Sequence, residues 1–214
     1  MRKKRTIFNK PKTKDNLLSS EETEAMLKGA MGLKERLVVH VPIFTGMRIS
    51  ELIHMRGDWI NWRDQMISIP ESQPCDCRDC REPHFDEEGR VTKPPETWQP
   101  KTRDSVRSIP IVPEISGLLW DYFSKHKTVM ETVPSRGSAW YHFRKATKRA
   151  GIGHPVFPHA ARGTHATILA RSDFNPFELK DAMGWKKIAT AEDYIKLSGR
   201  QVKRAYDEKW KGVR

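Results

Sequence analysis

Two arginines stand in motifs whose spacing suits the binding of a phosphate group. The segment TGMRISEL places Arg48 and Glu51 three residues apart at the expected start of a helix, and HAAR places His159 and Arg162 at the same spacing after a proline. Residues three apart share one face of a helix, so each pair can act together. Guanidinium groups bind phosphate oxygens bidentately, and fixed cations stabilise the charge that develops in phosphoryl transfer. Taken singly, Arg48 is typical of a surface arginine and His159 of a helix cap.

Two further segments supply an amine and a phenol. Lys101 lies in KTR between two expected strands, and Tyr194 follows Trp185 of a Gly-Trp pair by nine residues. Taken together, the four segments resemble the tyrosine recombinase (phage integrase) family over about residues 19–200. The family pattern is an arginine in T-G-x-R-x-S-E-L, a lysine on a β-hairpin, H-x-x-R, and a tyrosine nine residues after a His or Trp that follows glycine. All parts of the pattern occur here in the family's order.

The resemblance implies a role for each side chain. Tyr194 would attack the phosphodiester and keep the bond energy in a reversible 3′-phosphotyrosine, while Lys101 would protonate the departing 5′ oxygen. His159 would accept a proton from Tyr194 or hydrogen-bond the phosphate. Glu51 would orient Arg48 or His159 from behind. This chemistry requires no metal and no other cofactor.

Some positions have alternatives. Trp185 stands where the family usually has a histidine; its indole N–H can donate to a phosphate oxygen but cannot shuttle protons, and it also suits a core position. The competing candidates are three tyrosines and two arginines: Tyr122, Tyr141, Tyr206, Arg103 and Arg107. The first two tyrosines are expected in the core, and the strand that follows KTR favours Lys101 over the arginines. His165 shares a helix face with Arg162, and we expect it to be buried and hydrogen-bonded rather than catalytic.

A polar stretch at about residues 71–96 is too long for an ordinary hairpin and is predicted to be an insertion. Within ten residues it carries Cys75, Cys77, Cys80 and His84. This Cys3His set matches structural zinc, whereas the alternative is three reduced thiols in a loop. The odd cysteine count excludes a simple disulfide framework and favours a reducing, cytoplasmic compartment. The family resemblance does not require the zinc.

The elements that must position these residues are mostly helical. A capping box at Ser19 and Glu22 predicts a helix to about residue 31, and the next apolar segment predicts two helices broken near Pro42 and Gly46. The runs QMISIP, ETWQPK and SVRSIPIV predict an antiparallel sheet, with a turn at residues 102–104 between the last two strands. Later helices are predicted at about 113–126, 137–150, 159–171, 175–183, 188–197 and 200–211. The fold class is therefore α+β, mainly helical with a small antiparallel β-sheet.

The composition favours a polyanionic partner. Lys and Arg number 39 against 27 Asp and Glu, which gives a net charge of +12. Such a field favours nucleic acid, although a basic protein without that partner is the alternative. No apolar run approaches the roughly 20 residues that span a bilayer, so neither a membrane span nor a secretory signal is expected. Residues 1–18 are predicted to be a basic arm or linker, and residues 19–214 a catalytic domain.

By resemblance, the expected function is site-specific DNA recombination in integration, excision or resolution. The expected partners are double-stranded DNA and, on DNA, three further copies of this chain in a homo-tetramer, with a monomer free in solution. Family members usually carry a helical core-binding domain before the catalytic part, so a short variant and an excised fragment are both open. One alternative is a type IB topoisomerase, which uses the same chemistry without strand exchange. Another is a DNA-binding regulator that has lost activity, against which the complete residue set argues.

Overall fold

The computed structural model describes residues 16–199 together with residues 203, 206 and 207. The helices of this part are α1 Ser20–Gly29, α2 Gly32–Thr45, α3 Ile49–Ile53, α4 Pro113–Phe123, α5 Arg136–Arg149, α6 Pro158–Arg171, α7 Pro176–Met183 and α8 Ile188–Ser198. The strands are β1 Ile60–Asn61, β2 Met66–Ile69, β3 Gln73–Pro74, β4 His84–Phe85, β5 Val91–Lys93, β6 Thr97–Trp98 and β7 Arg107–Pro110. The predicted class, α+β and mainly helical, is confirmed.

Helix α2 forms the centre of the main core. It packs against α4, α5 and α6, and its apolar side chains are buried around the whole helix. The predicted break at Pro42 is wrong, because α2 continues through this proline to Thr45. A proline removes one backbone hydrogen bond, but the second half of α2, where Pro42 lies, is buried and held by packing. The break comes at Gly46, whose φ of 62° ends the helix in the left-handed region.

The main sheet has the order β1-β2-β7 and is antiparallel. Ile67 of β2 faces Ile109 of β7, so both buried side chains point into the core. The strand from ETWQPK does not join this sheet, because β6 pairs instead with β3. The predicted neighbouring of the last two strands is therefore wrong. Strand β6 lies at the base of the insertion, where it pairs with β3. Strands β4 and β5 form an outer hairpin.

A second, smaller apolar cluster lies beside the main core. It is built by α6, α7 and α8 and contains Ala166, Ala170, Leu179, Met183, Ala191, Tyr194 and Ile195. Helix α6 serves both clusters, because Ala160 and Ala161 belong to the main core. Small residues along α6 allow neighbours to approach from two sides, so α8 is held against α6.

The predicted capping box at Ser19 and Glu22 is confirmed at the start of α1. The packed chain begins slightly earlier, since Asn16 and Leu18 are buried and the Leu18 N–H donates to Thr164 Oγ1 at 3.0 Å. Most of the predicted basic arm and of the predicted helix at 200–211 lies outside the described residues. Within the described part, none of the helices combines the length and apolarity needed to cross a bilayer.

Candidate active site

Arg48 occupies the N-cap of α3, and its side chain joins three parts of the fold. Its backbone N–H donates to Glu51 Oε2 at 2.8 Å, which fixes the start of the helix. Its Nη1 donates to Glu51 Oε1 at 2.7 Å and to Ser105 Oγ at 2.8 Å, and its Nη2 donates to the Gly184 carbonyl at 3.2 Å. The side chain is 14% exposed, so the guanidinium is held firmly while a ligand can still reach it.

Arg162 lies deeper, on α6, and is 5% exposed. Its Nη1 donates to the Gly46 carbonyl and its Nη2 to the Met183 carbonyl, at the C-terminal ends of α2 and α7. Helix C-termini attract cations, which favours a guanidinium here. Burial is the main cause that lowers the pKa of Arg162, to about 9, so the group stays protonated at neutral pH.

Both of these helix ends require glycine. Gly46 and Gly184 have φ values of 62° and 58°, where other residues are strained. A Cβ at Gly46 would lie 2.9 Å from Met183 Sδ, and one at Gly184 would lie 2.7 Å from the Asp104 carbonyl oxygen. The glycines of the two motifs thus allow α2, α7 and the turn before β7 to close around the arginines.

Glu51 is fully buried beneath the arginines. It accepts from Arg48 Nη1 at 2.7 Å and from Arg107 Nη2 at 3.3 Å. Burial raises the pKa of Glu51, but nearby positive charges outweigh burial and hold this pKa below its ordinary value; they are the charges of Arg107, Arg162 and Arg48. The carboxylate is therefore ionised at neutral pH and offsets part of the concentrated positive charge.

Arg107 is a site residue that the sequence did not identify as such. Its side chain is 6% exposed, and besides Glu51 it binds the Ala182 carbonyl at 3.0 Å and the Ser105 carbonyl at 2.9 Å. It therefore positions Glu51 and does not compete with Lys101 as a proton donor. The alternation of side chains along a strand could have indicated this role, because Arg107 is two residues before Ile109 and shares its inward face of β7.

Lys101 and His159 stand on the exposed side of the arginines. Lys101 lies in the bend after β6 and forms no hydrogen bond or ion pair with the described residues. His159 begins α6. Partial burial is the largest cause that lowers the pKa of His159, and three positive charges add to it: those of Arg162, Arg48 and Lys101. His159 is consequently neutral at pH 7 and able to accept a proton.

Tyr194 lies on α8, near the charge of Arg162, and is 6% exposed. Burial raises the pKa of its phenol, while the charge of Arg162 acts in the opposite direction. The ring of Trp185 stacks on that of Tyr194, with centroids 5.2 Å apart and planes 16° apart. Trp185 is half-buried against the smaller cluster, as its predicted partial packing requires. The structure thus gives Trp185 a packing role at the nucleophile candidate.

The competing candidates differ in their surroundings. Tyr122 is fully buried, and its hydroxyl donates to the Thr128 carbonyl at 3.0 Å, as expected of a core residue. Tyr141 is exposed on α5 rather than buried as expected, and Lys145 lies over its ring. Tyr206 is exposed as well. His165 donates from Nδ1 to the Ile43 carbonyl at 2.9 Å, and burial lowers its pKa to about 4, as expected of a neutral packing residue.

The cysteines converge, but with a different histidine. The ligand atoms of His54, Cys75, Cys77 and Cys80 all lie within 4.8 Å of one another. The predicted fourth member, His84, is outside this group because the outer hairpin carries it to the surface on β4. Spacing within the insertion could not identify His54, which lies at the C-terminal end of α3. The cluster could hold a metal ion.

Comparison with known proteins agrees with this architecture. The sequence model of the phage integrase family matches residues 16–200. An integrase/recombinase of Escherichia coli and one of Pseudomonas aeruginosa are each 25% identical over 89% of this chain, and the chain spans 63% of each relative's length. The crystal structure of XerA recombinase superposes with a TM-score of 0.66 at 18% identity, covering 90% of this chain and 63% of that one. The catalytic domain of bacteriophage HP1 integrase gives 0.57 at 17% identity, covering 90% and 94%.

Proposed function

Because this chain belongs to the phage integrase family, we propose that it is a site-specific recombinase that cleaves and rejoins DNA through a 3′-phosphotyrosyl intermediate. One observation carries the proposal. Arg48 binds Glu51, and the charge of Arg162, from a separate motif, acts to lower the pKa of both Glu51 and the phenol of Tyr194. Cations and a nucleophile for one phosphate are thereby gathered in one place.

The two arginines would bind the scissile phosphate. The Nη atoms of both arginines donate to protein acceptors, whereas neither Nε has a partner within the described residues. The Nε–H groups are therefore available as donors to a phosphate. Fixing the guanidiniums in advance matters because preorganised donors stabilise transition-state charge without reorganising during the reaction. Removing one such donor typically slows a reaction by about 100- to 1,000-fold.

The proton transfers follow from the remaining groups. As the Tyr194 oxygen forms its bond to phosphorus, its proton passes to neutral His159, and the bond from phosphorus to the 5′ oxygen breaks. Lys101 donates a proton to that oxygen, which leaves as a hydroxyl. A base is needed because the pKa of Tyr194 is raised. Religation reverses each step with a 5′ hydroxyl of another strand, so that no bond energy is lost.

The partners and boundaries belong to the same proposal. Relatives with the same fold include a Tn1549 transposon integrase in complex with transposon right-end DNA and XerH bound to its difH substrate. Exchange between two duplexes requires four active sites, so we expect four copies of this chain on double-stranded DNA and a monomer free in solution. Residues 1–18 would be a basic arm or linker, and residues 19–214 the catalytic domain with its insertion at about 71–96. The location would be cytoplasmic and DNA-associated.

The proposal includes no cofactor for catalysis. The cysteine cluster, which could hold a metal, would take zinc in a structural role. Three sulfur ligands and one imidazole form a closed donor set of the kind that structural zinc sites use.

The test is a covalent adduct on a nicked suicide duplex that carries the cognate attachment sequence. The wild-type protein is expected to form a protein–DNA species that resists SDS, and Tyr194→Phe is expected to form none. Tyr206→Phe is the matched control, since this exposed tyrosine should leave the yield unchanged. An adduct that survives Tyr194→Phe would refute the assignment. Plasmid relaxation without strand exchange would instead identify a topoisomerase.

A further inference from the structure

We propose that His54, Cys75, Cys77 and Cys80 bind one zinc ion that fastens the insertion to α3 and so positions Lys101. The binding site stands independently of the proposed function, whereas the positioning of Lys101 rests on it. Helix α3 begins at Arg48 and ends at His54, so a metal bound here is attached directly to an element of the active site.

The distances fit a tetrahedral zinc ion. His54 Nε2 lies 3.5 Å from Cys77 Sγ and 3.4 Å from Cys80 Sγ. With Zn–N and Zn–S bonds of about 2.0 and 2.3 Å, a tetrahedral site separates a nitrogen and a sulfur ligand by about 3.5 Å. The observed separations match that value, so these ligands need little rearrangement to bind the ion.

The histidine is oriented as a ligand. Its Nδ1 lies 2.7 Å from the Ser50 carbonyl, which only accepts, so Nδ1 carries the proton and Nε2 presents its lone pair to the sulfurs. A hydrogen bond from the second ring nitrogen is typical of metal-bound histidine. The ring is 4% exposed and stacks on Trp98 with centroids 5.3 Å apart.

The insertion has two short strand pairs but little apolar burial to hold its shape. Within residues 71–96, Cys80 and Lys93 are the buried residues, so the segment has no apolar core of its own. Its turn at the cluster is nevertheless regular, because the N–H groups of Cys80 and Arg81 both donate to the Cys77 carbonyl at 2.9 Å. A metal can supply the folding free energy that such a segment cannot obtain from burial.

Lys93 adds a charge argument. Its buried Nζ donates to backbone carbonyls of Cys80 at 2.8 Å, Glu82 at 2.9 Å, Thr97 at 3.1 Å and Pro94 at 3.3 Å. Within the described part of the chain, no carboxylate forms an ion pair with it. A zinc ion with three thiolates and a neutral imidazole carries a net negative charge, which would compensate the buried ammonium.

The route from the cluster to the active site is short. Trp98, which stacks on His54, lies on β6, three residues before Lys101. Gln73 also attaches the base of the insertion, because its Nε2 donates to the His54 carbonyl at 2.8 Å. Without the ion, this base keeps that bond but loses the link through the cysteines, so Lys101 should shift. The position of Arg48 should change less, because its Nη1 donates to Glu51 and Ser105, which lie in the core. Loss of the metal should therefore impair the proton donor more than the phosphate-binding arginines.

The first arm measures metal on the whole chain by elemental analysis. The wild type should contain about one zinc per chain, and Cys75→Ser and His54→Ala less than about a tenth of that. His84→Ala is the matched control and should keep its zinc. Cobalt exchanged into the wild type should give thiolate charge-transfer bands and the visible bands of tetrahedral coordination. A wild type without zinc or tetrahedral cobalt would overturn the site, and loss of metal in His84→Ala alone would overturn the choice of histidine.

The second arm separates positioning from general damage. A 5′-bridging sulfur leaves without protonation, so it bypasses Lys101. Cys75→Ser should form adduct about 100-fold more slowly than wild type on the ordinary oxygen duplex, and within roughly threefold of wild type on the sulfur duplex. An equal defect on both substrates would refute positioning of Lys101. A wild type that cleaves neither duplex would refute the proposed function, while the zinc content would still decide the metal site.

Discussion

Buried charges are neutralised in different ways in the core and in the insertion, as Glu51 and Lys93 show. Glu51, in the core, is bound by Arg48 at the start of its own helix and by Arg107 of the distant strand β7. Lys93, in the insertion, is bound by carbonyls of residues 80, 82, 94 and 97, all close in sequence. A charge held by distant elements couples those elements, whereas a charge held by its own segment stabilises that segment alone.

The arginines and Lys101 of the candidate site are correspondingly held by different regions. Hydrogen bonds of the three arginines join α3, α6 and β7 to the ends of α2 and α7, where we propose that phosphate binds. Lys101 belongs to the other region, on the bend that leaves the insertion. The arginines proposed to bind phosphate and the lysine proposed to donate a proton are therefore held by different parts of the molecule, so changes to each part should have separable effects.

The largest effect is expected at Glu51. Glu51→Gln leaves three arginines without their buried counter-charge, so the free energy of unfolding should fall by about 3–5 kcal/mol. Urea denaturation followed by circular dichroism measures this. Glu88→Gln removes the same charge from an exposed pair with Arg90 and should change stability by less than about 0.5 kcal/mol. Equal effects of the two substitutions would contradict the coupling role of Glu51.

A smaller and more local effect is expected at Lys93. Lys93→Met fills similar volume but leaves four carbonyls without their donor, which should cost about 1.5–3 kcal/mol within the insertion. Hydrogen exchange measured by mass spectrometry should show lost protection over residues 75–97, while α2 keeps its protection. If α2 exchanged faster to the same degree, Lys93 would support the whole domain and the contrast with Glu51 would fail.

The smallest effect at neutral pH is expected at His165 in the core, because it appears only as the pH falls. The folded-state pKa of His165, about 4, lies below its ordinary value of 6.5, so protonation favours unfolding. The contribution of neutral His165 to the free energy of unfolding is complete above about pH 6.5 and is lost as the pH falls towards 4. This loss amounts to about 2 kcal/mol after allowance for the partial exposure of the ring. His165→Gln should flatten this part of the profile of unfolding free energy against pH. An unchanged profile would show that His165 accepts its proton without cost.

The sequence predicted those site residues that lie within one short motif. Arg48 with Glu51 and His159 with Arg162 were found because spacing of three residues and a preceding Gly or Pro describe one helix start. Arg107 and His54 were missed because their roles depend on tertiary structure. Arg107 reaches Glu51 only when β7 pairs with β2, and His54 meets the cysteines only when the insertion folds back on α3. No spacing within either segment contains that information.

The predictions of the strand pairing and of a helix break at Pro42 were wrong for related reasons. Propensity placed a strand at residues 97–98 but could not choose its partner, which is β3 across the base of the insertion. Likewise, burial of the second half of α2 stabilises the helix by more than the one backbone hydrogen bond that Pro42 removes. Both errors arise where long-range packing overrides a local preference.

The central claim is that Tyr194 is the nucleophile, and it is tested most directly by locating the DNA on the protein. The adduct from a suicide duplex is digested with nuclease and trypsin, and the peptide that carries the residual nucleotide is identified by mass spectrometry. We predict the nucleotide on residues 188–196, a peptide whose only tyrosine is Tyr194. A nucleotide on the peptide that contains Tyr206 or Tyr141, with none on residues 188–196, would contradict the account.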